Sequence, residues 1–250
     1  MNNNFKIHKF TKPNPNTRLS IITVVKDDTI GLLSTMDSLK KLNSYLLETV
    51  VWINSTSNFK QEHIDIAITN ADVVICGDDL GIFDAMNKAL SYANGTYVLF
   101  LNARDRIINP FIICNLNEPV LVPIQYTDYF GKTRLVKVSK STKLGIPYCH
   151  QGMILPRLGY QYDTNFKYGA DYLALLNFNL PWPLPILSVG LVEYDTSGVS
   201  TINRWESDLW TARVILLRFG YLFATVFLFK CIFKLAIKRI YDLKCKLLDN

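Results

Sequence analysis

No Cys-x-x-Cys pair occurs in this chain, and its five cysteines, Cys76, Cys114, Cys149, Cys231 and Cys245, are scattered and odd in number. That pattern argues against a disulfide framework or a zinc cluster and for a reducing cytoplasm. The N-terminal seventeen residues contain no apolar stretch of the secretory kind, so no secretory signal is expected and residues 1–17 read as a flexible arm. Near the C-terminus the uninterrupted uncharged run, Phe219 to Phe229, is 11 residues long. A bilayer span needs roughly 20. The body of the chain also lacks a charge excess: residues 213–250 carry eight basic and two acidic side chains, and the other 212 carry nineteen of each. All the surplus positive charge is on the tail, which argues against a nucleic-acid-binding main domain.

What is present is concentrated between Cys76 and Ile107. A polar, acidic turn leads into a helical pattern with apolar Ile82, Phe83, Ala85, Met86, Ala89 and Leu90, which breaks at Asn94-Gly95. Tyr97 to Leu101 is a continuous apolar run, as in a buried parallel strand. The chain then turns polar at Asn102-Ala103-Arg104-Asp105. Ligands of open α/β sheets bind beyond the carboxyl ends of the strands, so Asp105 is a functional candidate by position alone.

The preceding sequence follows the same alternation. Leu19 to Val25 reads as a buried first strand, Ile30 to Leu42 as a helix, Glu48 to Ile53 as a second strand and Asp72 to Ile75 as a third. Beyond Pro110, the runs Pro119 to Ile124 and Arg134 to Val138, separated by Gly131, predict an antiparallel hairpin. Asp171 opens an apolar helix, Tyr172 to Phe178, where a carboxylate is favoured by the helix dipole whatever else it does. Leu187 to Tyr194 reads as another strand, and a further helix starts near Trp205.

The order Asp79, Gly81, Asp84-Ala85-Met86-Asn87-Lys88, Gly95, Phe100-Leu101-Asn102 and Asp105 resembles family 2 nucleotide-sugar glycosyltransferases of the GT-A fold. Within them it is most similar to the branch that builds colanic acid, capsule and O-antigen repeat units in bacteria. The resemblance covers about residues 18–220. It implies a Rossmann-like α/β fold, a mixed and mainly parallel sheet flanked by helices. The nucleotide-binding half is expected at about 18–108, the acceptor half at about 109–204 and a helical, basic, membrane-associating tail at 205–250. The implied activity is inverting transfer of a sugar from a UDP- or GDP-linked donor to a hydroxyl of a lipid-linked glycan. The implied location is the cytoplasmic face of the inner membrane. Transfer to polyprenyl phosphate itself and a non-catalytic membrane-bound scaffold are the rival readings.

The resemblance also assigns residues. Thr23, Val25, Asn54, Asp79, Gly81, Asp84, Asn87, Lys88, Asn102 and Arg104 match nucleotide-sugar contacts. Asn54 stands where the family has an aspartate on the base, and an amide donates as well as accepts. Asp105 matches the carboxylate that holds Mg²⁺ or Mn²⁺, hard cations that take oxygen ligands. Arg104 is unusual there: either it faces away as a surface residue, or it brings positive charge to the leaving diphosphate. His150 and Gln151 match a His-Gln pair on the acceptor side, followed by Arg157 in a turn, and Asp171 matches the proposed general base. Gly198 to Thr201 resembles a glycine-valine-serine turn of the same branch.

The tail is read on physics alone. Lys230, Lys234 and Lys238 recur at i, i+4 and i+8 on a helix whose other faces carry Phe, Leu and Ile. This fits a helix lying in the membrane interface with its lysines toward anionic head groups. A re-entrant helix and a coiled-coil or core helix are the alternatives.

Overall fold

The computed structural model describes residues 5–12, 14–42, 44–55, 60–114, 116–128, 131–197 and 203–248, with side chains up to residue 236. The chain starts with a strand, β1 (Phe5–Phe10), and then alternates: β2 (Leu19–Val25), α1 (Thr29–Leu39), β3 (Leu47–Asn54), α2 (Gln61–Asn70), β4 (Val73–Gly77), α3 (Ile82–Leu90) and β5 (Tyr97–Phe100). β3 pairs in parallel with both β2 and β4, and β2 also pairs in parallel with β5. The reason is in the residues: β2, β4 and β5 are buried along their whole length, and such continuous apolar runs need helices on both faces.

Residues 5–10 are not the flexible arm expected. β1 pairs antiparallel with β4, and Lys9 Nζ donates to the carbonyl of Ile68 at 2.9 Å. An uncovered β4 would present a row of unpaired N–H and C=O groups, which β1 satisfies.

The second half supplies β6 (Arg106–Asn109), β7 (Val120–Leu121), β8 (Ile124–Thr127), β9 (Thr133–Leu135), β10 (Met153–Pro156), α4 (Ala170–Asn177) and β11 (Leu191–Glu193). β10 and β7 extend the main sheet to seven strands, β1-β4-β3-β2-β5-β10-β7, while β6-β11-β8-β9 form a second sheet. The predicted hairpin is present with different arms. β8 pairs with β9, and β7 joins the main sheet instead. Val122 and Pro123 interrupt the apolar run, and proline has no N–H to continue a ladder.

Two helices follow, α5 (Arg204–Phe219) and α6 (Tyr221–Leu248), divided at Gly220, whose φ of 85° suits glycine. α5 belongs to the globular body rather than to a separate tail. Lys167 Nζ lies 2.8 Å from Glu206 Oε1, and the Arg213 guanidinium packs 5.2 and 5.0 Å from the Phe166 and Trp210 ring centres. α6 buries Ala224, Phe227 and Cys231 on one side and exposes Leu222, Val226, Phe229 and Phe233. No described helix is long and apolar enough to cross a membrane. The Gly198–Thr201 turn lies outside the described residues.

Candidate functional site

The strand order reverses between β2 and β5: β3 and β4 follow β2 on one side, and β5 is laid down on the other. A crevice at the carboxyl ends of the strands is expected at such a switch point. Two non-glycine residues in the left-handed region flank it, Asp27 at φ 55° and Arg104 at φ 80°, a conformation most side chains avoid. Arg104 Nε donates to Asp28 Oδ2 at 2.6 Å and its Nη2 to Oδ1 at 3.3 Å. Asp28 also caps α1 by accepting the Gly31 N–H at 3.0 Å. Burial pushes the Asp28 carboxyl up, yet the Arg104 and Gly31 hydrogen bonds outweigh it and hold the group below its usual range. A Cβ on Gly31 would stand 2.2 Å from Asp28 Oδ2 and 2.6 Å from Arg104 Cγ, so this pair requires glycine beneath it. The charge of Arg104 is therefore committed to Asp28, with Asp195 Oδ2 4.0 Å away.

Asp105 is 2% exposed. Its Oδ1 accepts the Asp195 N–H at 2.9 Å, its Oδ2 accepts the Asn102 N–H at 3.2 Å, and its carbonyl accepts Thr35 Oγ1 at 2.8 Å. Burial raises its pKa to about 7, against the opposing pull of those two amides and of His150. Beside it, the side-chain oxygen of Asn102 is buried without a partner.

β10 runs antiparallel to β5 with Leu155 opposite Val98, so the 3-10 turn ahead of β10, His150–Gly152, lies against the carboxyl end of β5. From that turn His150 Nδ1 lies 3.2 Å from Asp171 Oδ2 at the start of α4. The other oxygen of Asp171 accepts the Tyr172 N–H at 2.9 Å. His150 Nε2 is buried and has no partner. Gln151 is buried in the same turn, and burial followed by the charges of Asp171 and Asp105 pushes the Cys149 thiol up to about 12, so it stays protonated.

The structure thus brings Asn102, Arg104, Asp105, His150, Gln151 and Asp171 to one end of the sheet. The acidic loop after β4 forms a neighbouring group: Asp79 accepts Trp52 Nε1 at 3.1 Å and the Gly81 N–H at 3.1 Å, and Asp84 accepts Lys88 Nζ at 2.7 Å and the Leu80 N–H at 2.9 Å. Gly81 is needed for its φ of 131°, since a Cβ there would meet nothing within 4 Å. Thr23 and Val25 have their side chains in the core, and Asn54 is buried at the end of β3 opposite Gly77.

Two expected site residues serve the fold instead. Asn87 gives both halves of its amide to the backbone of Tyr162, at 2.8 and 2.9 Å, and so ties α3 to the acceptor half. Arg157 donates to the carbonyl of Gly95 at 2.9 Å, at the opposite end of β5 from Asp105. Asp28, Gly31 and Asp195 were not anticipated. The aspartate ahead of a helix at Asp28 is a capping signal, whereas Asp195 reaches the site through its backbone N–H, which no side-chain pattern reveals.

Against known proteins, the architecture has clear counterparts. Residues 1–349 of Staphylococcus aureus TarS, solved with UDP, match with a TM-score of 0.54 at 14% identity over 80% of this chain and 66% of that one. The mannosyltransferase PcManGT from Pyrobaculum calidifontis, solved with GDP-Man and Mn²⁺, matches with a TM-score of 0.53 at 15% identity over 82% and 64%. This is a glycosyltransferase fold. Two uncharacterized glycosyltransferases from strains of Mycobacterium tuberculosis are 27% identical over 142 residues, covering 49% of this chain and 53% of theirs. The chain thus spans about half the length of the curated relatives it matches. No family model matches it.

Two oxygen donors stand together at Asp105. The Asp105 carboxylate and the unpartnered Asn102 oxygen are hard oxygen donors of the right kind for Mg²⁺ or Mn²⁺. Among the described residues no three His, Cys, Asp or Glu side chains are grouped to hold a metal. The Asp105 and Asn102 oxygens thus fit a hard divalent cation as two of its ligands.

Proposed function

We propose that this chain is a family 2 glycosyltransferase that moves a sugar from a UDP- or GDP-linked donor to a hydroxyl of a lipid-linked glycan, with inversion, in bacterial surface polysaccharide synthesis at the cytoplasmic face of the inner membrane. The observation that carries the reading is the convergence of Asp105, His150 and Asp171 at the switch point of a glycosyltransferase fold. The relatives share part of their sequence with this chain, and the solved neighbours bind UDP, UDP-GlcNAc or GDP-Man.

In this reading the donor lies across the carboxyl ends of β2 to β5, bordered by Asn54, the Asp79–Lys88 loop and Asn102. Asp105 and Asn102 would hold Mg²⁺ or Mn²⁺, which when bound neutralises charge on the departing diphosphate. The Arg104–Asp28 pair fixes the loop that presents Asp105. The Asp171–His150 pair receives the proton of the acceptor hydroxyl as it attacks the anomeric carbon in line. Calorimetric titration with UDP and with GDP, each with Mn²⁺ and with EDTA, tests the donor site. Metal-dependent binding of one nucleotide is expected, and no binding of either would favour the scaffold reading.

The acceptor side rests on α6. Its exposed Leu222, Val226, Phe229 and Phe233, flanked by exposed Lys230 and Lys234, form an apolar and basic face suited to an anionic lipid surface. That face serves equally a reading in which polyprenyl phosphate is itself the acceptor. Sedimentation with phosphatidylglycerol vesicles checks it: the wild type should pellet, and Phe229→Asp with Phe233→Asp should remain in the supernatant. Equal sedimentation of both would remove α6 from the account.

A further inference from the structure

We infer that the atom taking the acceptor's proton is His150 Nε2, and that Asp171 acts through it as a positioning residue. This deepens the transferase reading above and rests on it. An ionised carboxylate only accepts hydrogen bonds, and Asp171 in that state is stabilised by the Tyr172 N–H on Oδ1. The 3.2 Å contact of Oδ2 with Nδ1 then requires the hydrogen to sit on Nδ1. In the neutral ring this leaves Nε2 as a bare lone pair. That nitrogen is buried with no partner in the chain, which leaves it open to a hydrogen bond from a ligand. The result is a carboxylate fixing the tautomer of an imidazole whose far nitrogen is left open, the arrangement that makes histidine a base beside an aspartate in hydrolases.

The surroundings suit the step. His150 projects from the turn against the end of β5, paired with Asp171 and within electrostatic reach of Asp105. Cys149, the adjacent thiol, stays protonated and does not compete as a base. In the transfer, the acceptor O–H breaks and its proton passes to Nε2 while the oxygen forms a bond to the anomeric carbon. The bond from that carbon to the diphosphate oxygen breaks, and its electron pair leaves with the nucleoside diphosphate. The imidazolium formed is paired with Asp171, and it returns the proton to water once product leaves.

His150→Asn is the discriminating variant, because its amide N–H can stand where Nδ1–H stands and still hold Asp171, while Nε2 is removed. Initial rates with UDP-GlcNAc, UDP-Glc and GDP-Man, using lipid extracted from membranes as acceptor, should show kcat reduced about 10²- to 10⁴-fold with KM within threefold. A kcat within threefold of wild type would return the base to Asp171 and overturn the inference. Wild type inactive with every donor would instead count against the transferase reading. A readout without turnover is the ¹⁵N spectrum of the three imidazoles, His8, His63 and His150, assigned with the His150→Asn protein. While the ring is neutral, Nε2 of His150 should show the shift of a bare nitrogen, moving toward a protonated one in Asp171→Asn. A wild-type Nε2 already carrying hydrogen would contradict the assignment independently of activity.

Discussion

Among the described residues, two buried carboxylates stand near opposite ends of the main sheet's strands, and they are built differently. Glu48, near the start of β3, is 4% exposed and saturated: Oε2 accepts Ser20 Oγ at 2.6 Å and the Asn94 N–H at 2.8 Å, and Oε1 accepts Asn94 Nδ2 at 2.8 Å. Ser20 Oγ in turn accepts the Gly95 N–H at 2.8 Å, and Arg157 closes on the Gly95 carbonyl. Asp105, beyond the end of β5, is as deeply buried but has two backbone amides for company, and its neighbours Asn102 Oδ1 and His150 Nε2 have no partner. A polar group satisfied entirely by the protein holds the fold together, while one left short of partners marks where a ligand is expected. The same sheet supplies a structural end and a chemical end.

The contrast can be broken in order of effect. Asp171→Asn should lower kcat by about 10²- to 10⁴-fold while leaving nucleotide affinity, measured by calorimetry, within a factor of three. Equal loss of both would remove the distinction between donor and acceptor roles. Next is the pH dependence of stability. Asp105 holds its proton up to about pH 7 in the folded chain, whereas an unfolded aspartate loses it near its ordinary value of 3.8. Between those values the native state binds the extra proton, so stability falls as pH rises through that window, by on the order of 4 kcal/mol. Urea unfolding from pH 4 to 8 should show Asp105→Asn with a shallower fall than wild type. Parallel curves would mean that Asp105 is ordinary.

At the opposite end, Glu48→Ala strands the donors of Ser20 and Asn94 and should cost about 3 kcal/mol in urea unfolding, with nucleotide affinity unchanged in the folded protein. Weaker nucleotide binding would erase the difference between the two ends. The smallest effect is expected of Asn87→Ala, about 1–2 kcal/mol for the two lost Tyr162 hydrogen bonds. A specific loss of donor affinity without loss of stability would restore Asn87 as a ligand contact.

The parallel centre could be read in the sequence because burial on both faces forces continuous apolar runs such as Leu19–Val25 and Tyr97–Leu101, and the position of Asp105 follows from the end of such a run. Other features depend on partners far away in the chain. Asp195 is 90 residues from Asp105, and only the packing of β11 against β6 brings its N–H to that carboxylate. Asp28 and Arg104 are 76 residues apart and meet because β2 and β5 are neighbours across the reversal in strand order. β1 was hidden because its Lys6, His8 and Lys9 resemble a solvated segment until the open edge of β4 is known. The division of the tail at Gly220 likewise depended on which face of α5 the body covers.

The account turns most directly on release of nucleoside diphosphate from UDP-GlcNAc, UDP-Glc or GDP-Man in the presence of membrane-extracted lipid acceptor. Wild type, Asp105→Asn and Glu48→Gln should be compared at a temperature where all three are folded. Release by wild type and Glu48→Gln at similar rates, with Asp105→Asn at least 100-fold slower, is the expected result. Equal rates for Asp105→Asn and wild type would contradict the claim that the unsatisfied end of the sheet is where the chemistry occurs.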